Sequence, residues 1–141
     1  MVISQGILDK LTEEAKASPR LRMNLDLRNG SDDQLQRMLN ALEPGTVMPI
    51  HRHKGSSETC VCIRGHFEEY LYGYMETRSD GTSDPDSFGL IETVDMYPGD
   101  PILNIEKGQW HSLKCLESGT ILFEAKDGPY QPLSPEDIME V

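Results

Sequence analysis

Near the start of the chain the apolar positions Ile7, Leu8, Leu11 and Ala15 recur at spacings of three and four, the signature of one helical face. Ser4 stands where a helix cap is needed and Pro19 just past the end, so a short amphipathic helix is predicted over Ser4 to Ala17. Two placements are open for its stripe: the outer surface of the chain's own fold, or a second subunit. From Leu21 the period changes to two. Leu21, Met23, Leu25 and Leu27 alternate with Arg22, Asn24 and Asp26, as in a strand with one polar face. Thr59 to Ile63, Phe67 to Met75, Phe88 to Met96, Ile102 to Ile105 and Thr120 to Ala125 are rich in β-branched and aromatic residues and read as further strands. Another strand puts His111, Leu113 and Cys115 on one face. Asp80-Gly81 and Asp84-Pro85 give Thr77 to Ser87 the composition of a long hairpin loop. After Lys126 three prolines and no apolar period predict a wrapped coil, with a short turn from Pro135.

Leu35 to Leu42 is ambiguous in this reading, because Gln, Arg, Met, Leu and Ala all favour helix. As a strand it would place Gln36, Met38, Asn40 and Leu42 on one face and Leu35, Arg37, Leu39 and Ala41 on the other. Nothing in the pattern says which face looks inward.

The chemistry is concentrated in Gly45 to Gly65. His51 and His53, one residue apart, point the same way on an extended strand, and Glu58 returns to that side after a turn over Lys54 to Ser57. A lone His-x-His is often two surface histidines; convergence with Glu58 and the later His111 makes a metal set. Imidazoles with one carboxylate suit one divalent ion of iron, manganese, nickel, zinc or copper, with coordination positions left open. Cys60, Cys62 and Cys115 are an odd number, and the first two are too close on one strand for a bridge, so they read as free thiols packed like small apolar residues. His66 reads as a surface or strand-end histidine.

These residues carry a resemblance. Gly-x5-His-x-His-x4-Glu-x6-Gly, matched by Gly45, His51, His53, Glu58 and Gly65, is the spacing of the first cupin motif. The stretch Gly99 to His111 is similar to the second motif, with Glu106 in place of its proline, Cys115 in place of its asparagine and the first glycine one residue further away. Gln36 to Pro44 and Phe123 to Tyr130 resemble the WbuC-type cupin metalloproteins, often encoded with bacterial surface-polysaccharide genes. The resemblance implies an all-β fold, a small double-stranded β-helix (cupin or jelly-roll) barrel over 19–132, with an N-terminal helical extension over 1–18 and a tail over 133–141. Leu35 to Leu42 then becomes a strand. The metal ligands would be His51, His53, Glu58 and His111; Arg22, Asn24, Arg37, Asn40 and Trp110 are the candidates for contact with a small-molecule ligand. That ligand would be small and oxygen-rich: a sugar, nucleotide sugar or hydroxy acid. Three activities stay open: a Lewis-acid enzyme of isomerase or epimerase type, a non-catalytic metal-dependent sugar-binding module, and an iron-dependent dioxygenase. Cupins commonly pair, so a homodimer is expected.

Size and charge narrow the partners. The 141 residues suffice for one barrel and its own core. A formal charge of -11 repels phosphate backbones and anionic lipid, which argues against nucleic-acid and membrane partners. No stretch approaches a membrane span and the cysteines are unbridged, so a cytoplasmic protein is expected.

Overall fold

Two five-stranded antiparallel sheets face each other in a computed structural model that describes residues 1–139. The first has the order β1-β2-β9-β4-β7, with β1 Arg22–Asp26, β2 Leu35–Leu42, β9 Thr120–Asp127, β4 Glu58–Arg64 and β7 Ile102–Ile105. The second has the order β10-β3-β8-β5-β6, with β10 Ile138–Met139, β3 Ile50–His51, β8 Trp110–Cys115, β5 Phe67–Tyr74 and β6 Phe88–Met96. Only the β1–β2 and β5–β6 connections stay within a sheet; every later step changes sheet, as in a jelly roll. This is the all-β double-stranded arrangement that the cupin resemblance implies, with one short helix among the described residues.

That helix, α1, runs Gln5–Ala17, and the Ser4 hydroxyl accepts the Ile7 amide at 3.4 Å to cap it. Its stripe of Leu8, Leu11 and Ala15 packs on Leu39, Ala41 and Ile121, with Met23, Leu25 and Phe123 around them. Of the two placements open for the stripe, the chain's own sheet takes it. The contact also settles the facing of β2. Leu39 and Ala41 look out towards the helix; Asn40 and Leu42 look in between the sheets. The first sheet is therefore covered on both sides, which is why β2 lacked a clear polar face.

Between the sheets, one end of the barrel is filled by Leu42, Cys60, Cys62, Phe67, Met96, Cys115 and Leu122. Gly65 turns the chain into this plug at φ 80°, and a Cβ there would lie 2.8 Å from the Thr120 Cα; both the conformation and the space demand glycine. The opposite end is polar and open.

The tail differs from the expected coil. After irregular residues to Ser134 it makes a 3-10 turn over Pro135–Asp137 and then the strand β10, pairing Ile138 with His51 and Met139 with Ile50. A two-residue strand carries no readable period. Its place was set by the unpaired edge of β3, which the tail covers.

Candidate metal centre

The short strand β3 holds the first histidine by backbone pairing on both sides. His51 is opposite His111 on β8 and Ile138 on β10. Beyond β3, the His53 carbonyl accepts the Gly108 amide at 2.8 Å, which ties the second histidine to the turn before β8. The three rings meet: centroids are 4.3 Å apart for His51 and His111, 5.0 Å for His51 and His53, and 5.7 Å for His53 and His111. One ligating atom from each lies within 4.8 Å of the others.

The backbone also fixes the tautomers. His51 Nδ1 is 2.9 Å from the Pro49 carbonyl oxygen, and His111 Nδ1 is 2.8 Å from that of Gln109. A carbonyl only accepts, so each Nδ1 carries the proton and each Nε2 keeps its lone pair for the cavity. Burial pushes the His51 and His53 values down to about 4, so both imidazoles are neutral at pH 7.

Glu58, at the start of β4, lies beside the three histidines. Its Oε1 lies 2.7 Å from His111 Nε2, yet that buried nitrogen makes no hydrogen bond among the described residues. Two electron-pair donors held close without a proton aligned between them are what a shared cation requires. Its other oxygen is 3.4 Å from Lys126 Nζ, its register partner on β9. Burial alone would raise the Glu58 carboxyl, but His111 in its protonated form and the Lys126 ammonium hold it below the usual carboxylate range. The three histidines fit a divalent ion in ligand type, and Glu58 stands next to them.

These side chains open on a cavity of about 340 Å³. Arg22 and Asn24 from β1 and Asn40 from β2 line it, together with His51, His53, Glu58 and His111. Arg37 and Trp110 are placed elsewhere. Arg37 faces away and donates to the Leu27 carbonyl and to Asp33, while Trp110 lies under the Arg52 guanidinium at 4.6 Å and against Phe88. The three cysteines are free and buried in or beside the apolar plug; burial raises all three thiols, Cys62 to about 11. His66 stacks on Tyr97 and meets Asp95, outside the cavity.

Four charged cavity groups escaped the sequence reading: Arg20, Glu69, Glu124 and Lys126. Glu69 is 4 % exposed, and burial, reinforced by Glu58 and Glu124, pushes its carboxyl well up. Burial likewise raises Glu124, which accepts the Asn40 amide at 3.2 Å. The signal was present on β9, where Glu124 and Lys126 share the inward face of Leu122 while Ile121 and Phe123 on the other face are also apolar. A strand apolar on both faces has no solvent side to receive charges.

Comparison with known proteins follows the same division between fold and chemistry. The model of a domain of unknown function, DUF6016, matches residues 3–79, more than half of the chain. The chain belongs to that family. The DUF6016 chain has the cupin fold, seen in its likeness to KdgF from Halomonas sp., at 17% identity and TM-score 0.58 over 80% of this chain and 84% of that one. The cupin domain of Cnp3 from Schizosaccharomyces pombe matches at 12% identity and TM-score 0.55, over 76% of this chain and 64% of that one. Recombinant oxalate oxidase in complex with glycolate matches at 13% and 0.58, over 81% of this chain and 54% of that one, so the DUF6016 chain spans about half its length. Likenesses at these identities concern the fold alone. No curated protein matches by sequence. Among the described residues no helix is long and apolar enough to cross a membrane.

Proposed function

We propose that this chain binds one divalent metal ion through His51, His53, Glu58 and His111 and uses it to hold a small oxygen-rich ligand in the cavity. The observation that carries the reading is the unpartnered Nε2 of His111, 2.7 Å from Glu58 Oε1, with backbone carbonyls turning the lone pairs of His51 and His111 inward. When bound, the metal supplies Lewis acidity to a carbonyl or hydroxyl oxygen of the ligand. The chain's own residues do the rest. Lys126 neutralises Glu58 from behind, and Asn24 and Asn40 offer amides to ligand oxygens. Burial raises the Glu69 and Glu124 carboxyls at the cavity wall, and in its protonated form such an acid can donate to a ligand oxygen. Those two acids favour turnover, of isomerase or epimerase type, over a non-catalytic binding module; iron in the site would instead support dioxygenase chemistry.

The WbuC-like segments Gln36 to Pro44 and Phe123 to Tyr130 support a role in bacterial surface-polysaccharide metabolism, and three buried free thiols support a reducing, cytoplasmic setting. A homodimer is part of the proposal. With the α1 stripe consumed by its own sheet, the exposed Leu90, Ile91 and Met75 around the β5–β6 hairpin are among the apolar side chains left for pairing. Light scattering should give about twice 15.9 kDa, and the monomer mass would refute pairing. The test of function is metal analysis of the purified protein, followed by a thermal-shift screen of sugars, nucleotide sugars and hydroxy acids with and without metal. Stabilisation that needs the metal is expected; a protein that holds no metal under any loading condition overturns the reading.

A further inference from the structure

The cations of this acidic chain are almost all spoken for. Of its thirteen lysines and arginines, only Arg20, Arg22 and Lys114 lack a carboxylate partner among the described residues. Two of those three, Arg20 and Arg22, line the metal cavity. With 24 acidic side chains available, two neighbouring arginines without a counter-ion at one mouth are not explained by the packing of the chain itself. Arg22 is half-buried, and its guanidinium's one side-chain contact is a 3.5 Å approach to the Met48 sulfur, a weak acceptor. Burial and the nearby Arg20 charge both lower its pKa, the cost of holding a cation there with no anion beside it.

The geometry points to a small organic acid as the ligand of this cavity: a hydroxy acid or sugar acid whose carboxylate is taken by Arg22, with Arg20 at the rim, while its hydroxyl oxygens face the histidines. The inference rests on the metal reading above for the hydroxyl half and on the arginines alone for the carboxylate half. A guanidinium presents two parallel N–H donors that match a planar carboxylate. A phosphate is disfavoured by what else forms the mouth. Ser18, which lines it, is the C-cap of α1, so no helix N-terminus supplies the amide cradle that holds phosphates, and the negative partial charge there works against any anion, which leaves the arginines to hold the carboxylate. Size agrees: about 340 Å³ lies at the low end for ligand sites, room for a monosaccharide acid but not for a nucleotide sugar. Burial disfavours charge on Glu69 and Glu124, which lessens their repulsion of an anion.

Isothermal titration of the full chain, metal-loaded and chelator-treated, with the pairs D-galacturonate and D-galactose, and D-gluconate and D-glucose, separates charge from shape. At least one acid should bind while its neutral partner does not. Arg22→Gln should weaken that acid at least about 10-fold, Arg22→Lys less, and Lys114→Gln, away from the cavity, not at all. Metal content, measured separately by mass spectrometry, should stay unchanged in Arg22→Gln. Acid binding lost in Arg22→Gln but retained in a wild-type protein that holds no metal would sink the metal reading and leave this one standing. Neutral sugars binding as well as their acids, galactose 1-phosphate binding where neither acid does, unchanged acid affinity in Arg22→Gln, or no binding by any of the four would each overturn it.

Discussion

The two halves of the barrel interior are built from the same strands and do opposite things. At one end β4, β8 and β9 contribute Cys62, Cys115 and Leu122 to a closed apolar plug; at the other the same three strands contribute Glu58, His111, Glu124 and Lys126 to an open polar cavity. The plug gains from excluding water and the cavity is costly for the same reason, since it holds desolvated acids and neutral imidazoles that prefer to be wet. Folding free energy should therefore reside in the plug and ligand chemistry in the cavity, and substitutions in one half should leave the other's property alone.

The largest expected effect is on the cavity side. His51→Ala or His111→Ala should reduce bound metal from about one ion per chain to a trace, since each removes one of only four ligands, while circular dichroism shows a folded protein. Unchanged metal content in both variants would refute the ligand set. On the plug side Phe67→Ala, at a fully buried ring, should cost about 3–5 kcal/mol in urea denaturation and leave metal per folded chain unaltered. If Phe67→Ala also strips the metal, the two halves are not separable.

How much of this division was legible beforehand follows from where each signal lives. The clustering of His51, His53 and Glu58 was legible because His51-x-His53-x4-Glu58 is local, fixed by strand parity and one turn. β6 and β7 were legible to the residue because Gly, Pro and Asp bound them. The facing of β2 was not, because it depends on α1 arriving from 30 residues earlier. Glu69 was hidden beside Glu68: one points in and one out, and only the pairing of Glu69 with Leu113 on β8 tells which. Arg37 and Trp110 share the polar and aromatic character of cavity residues, but parity puts them on the outward faces of β2 and β8, opposite Asn40 and His111.

A smaller effect tests the boundary between the halves, where the cysteines sit. Changing Cys60, Cys62 and Cys115 to serine should leave metal content intact, because the ligand set is complete without them. Stability should fall by roughly 1–3 kcal/mol, mostly at Cys60, where a hydroxyl would be buried without an acceptor. Cys62 and Cys115 already approach the Arg64 and Glu117 carbonyls at 3.1 and 3.2 Å, which serine can keep. Metal lost from the still-folded variant would move the thiols into the site.

The smallest effect is a slope, and it asks whether the cavity is as dry as its buried acids require. In metal-free protein, Glu69 has a folded pKa raised above its ordinary value of 4.5, so the native state keeps a proton that the unfolded chain releases. Its contribution is fully present below that value and is lost as pH rises towards the folded one. His51 and His53 act in the other direction. Their folded values near 4 lie below the ordinary 6.5, so the unfolded chain takes up protons first, and the stability they contribute is present above 6.5 and lost as pH falls towards 4. Between 4.5 and 6.5 the two oppose each other, so removing the carboxyl side should leave the histidine-driven rise of stability with pH unopposed. Glu69→Gln keeps the shape and cannot ionise, so its denaturation midpoint from pH 4.5 to 6.5 should rise more steeply than that of the wild type. Parallel slopes in the two proteins would mean that Glu69 ionises freely in the native state and that water reaches the wall opposite the histidines.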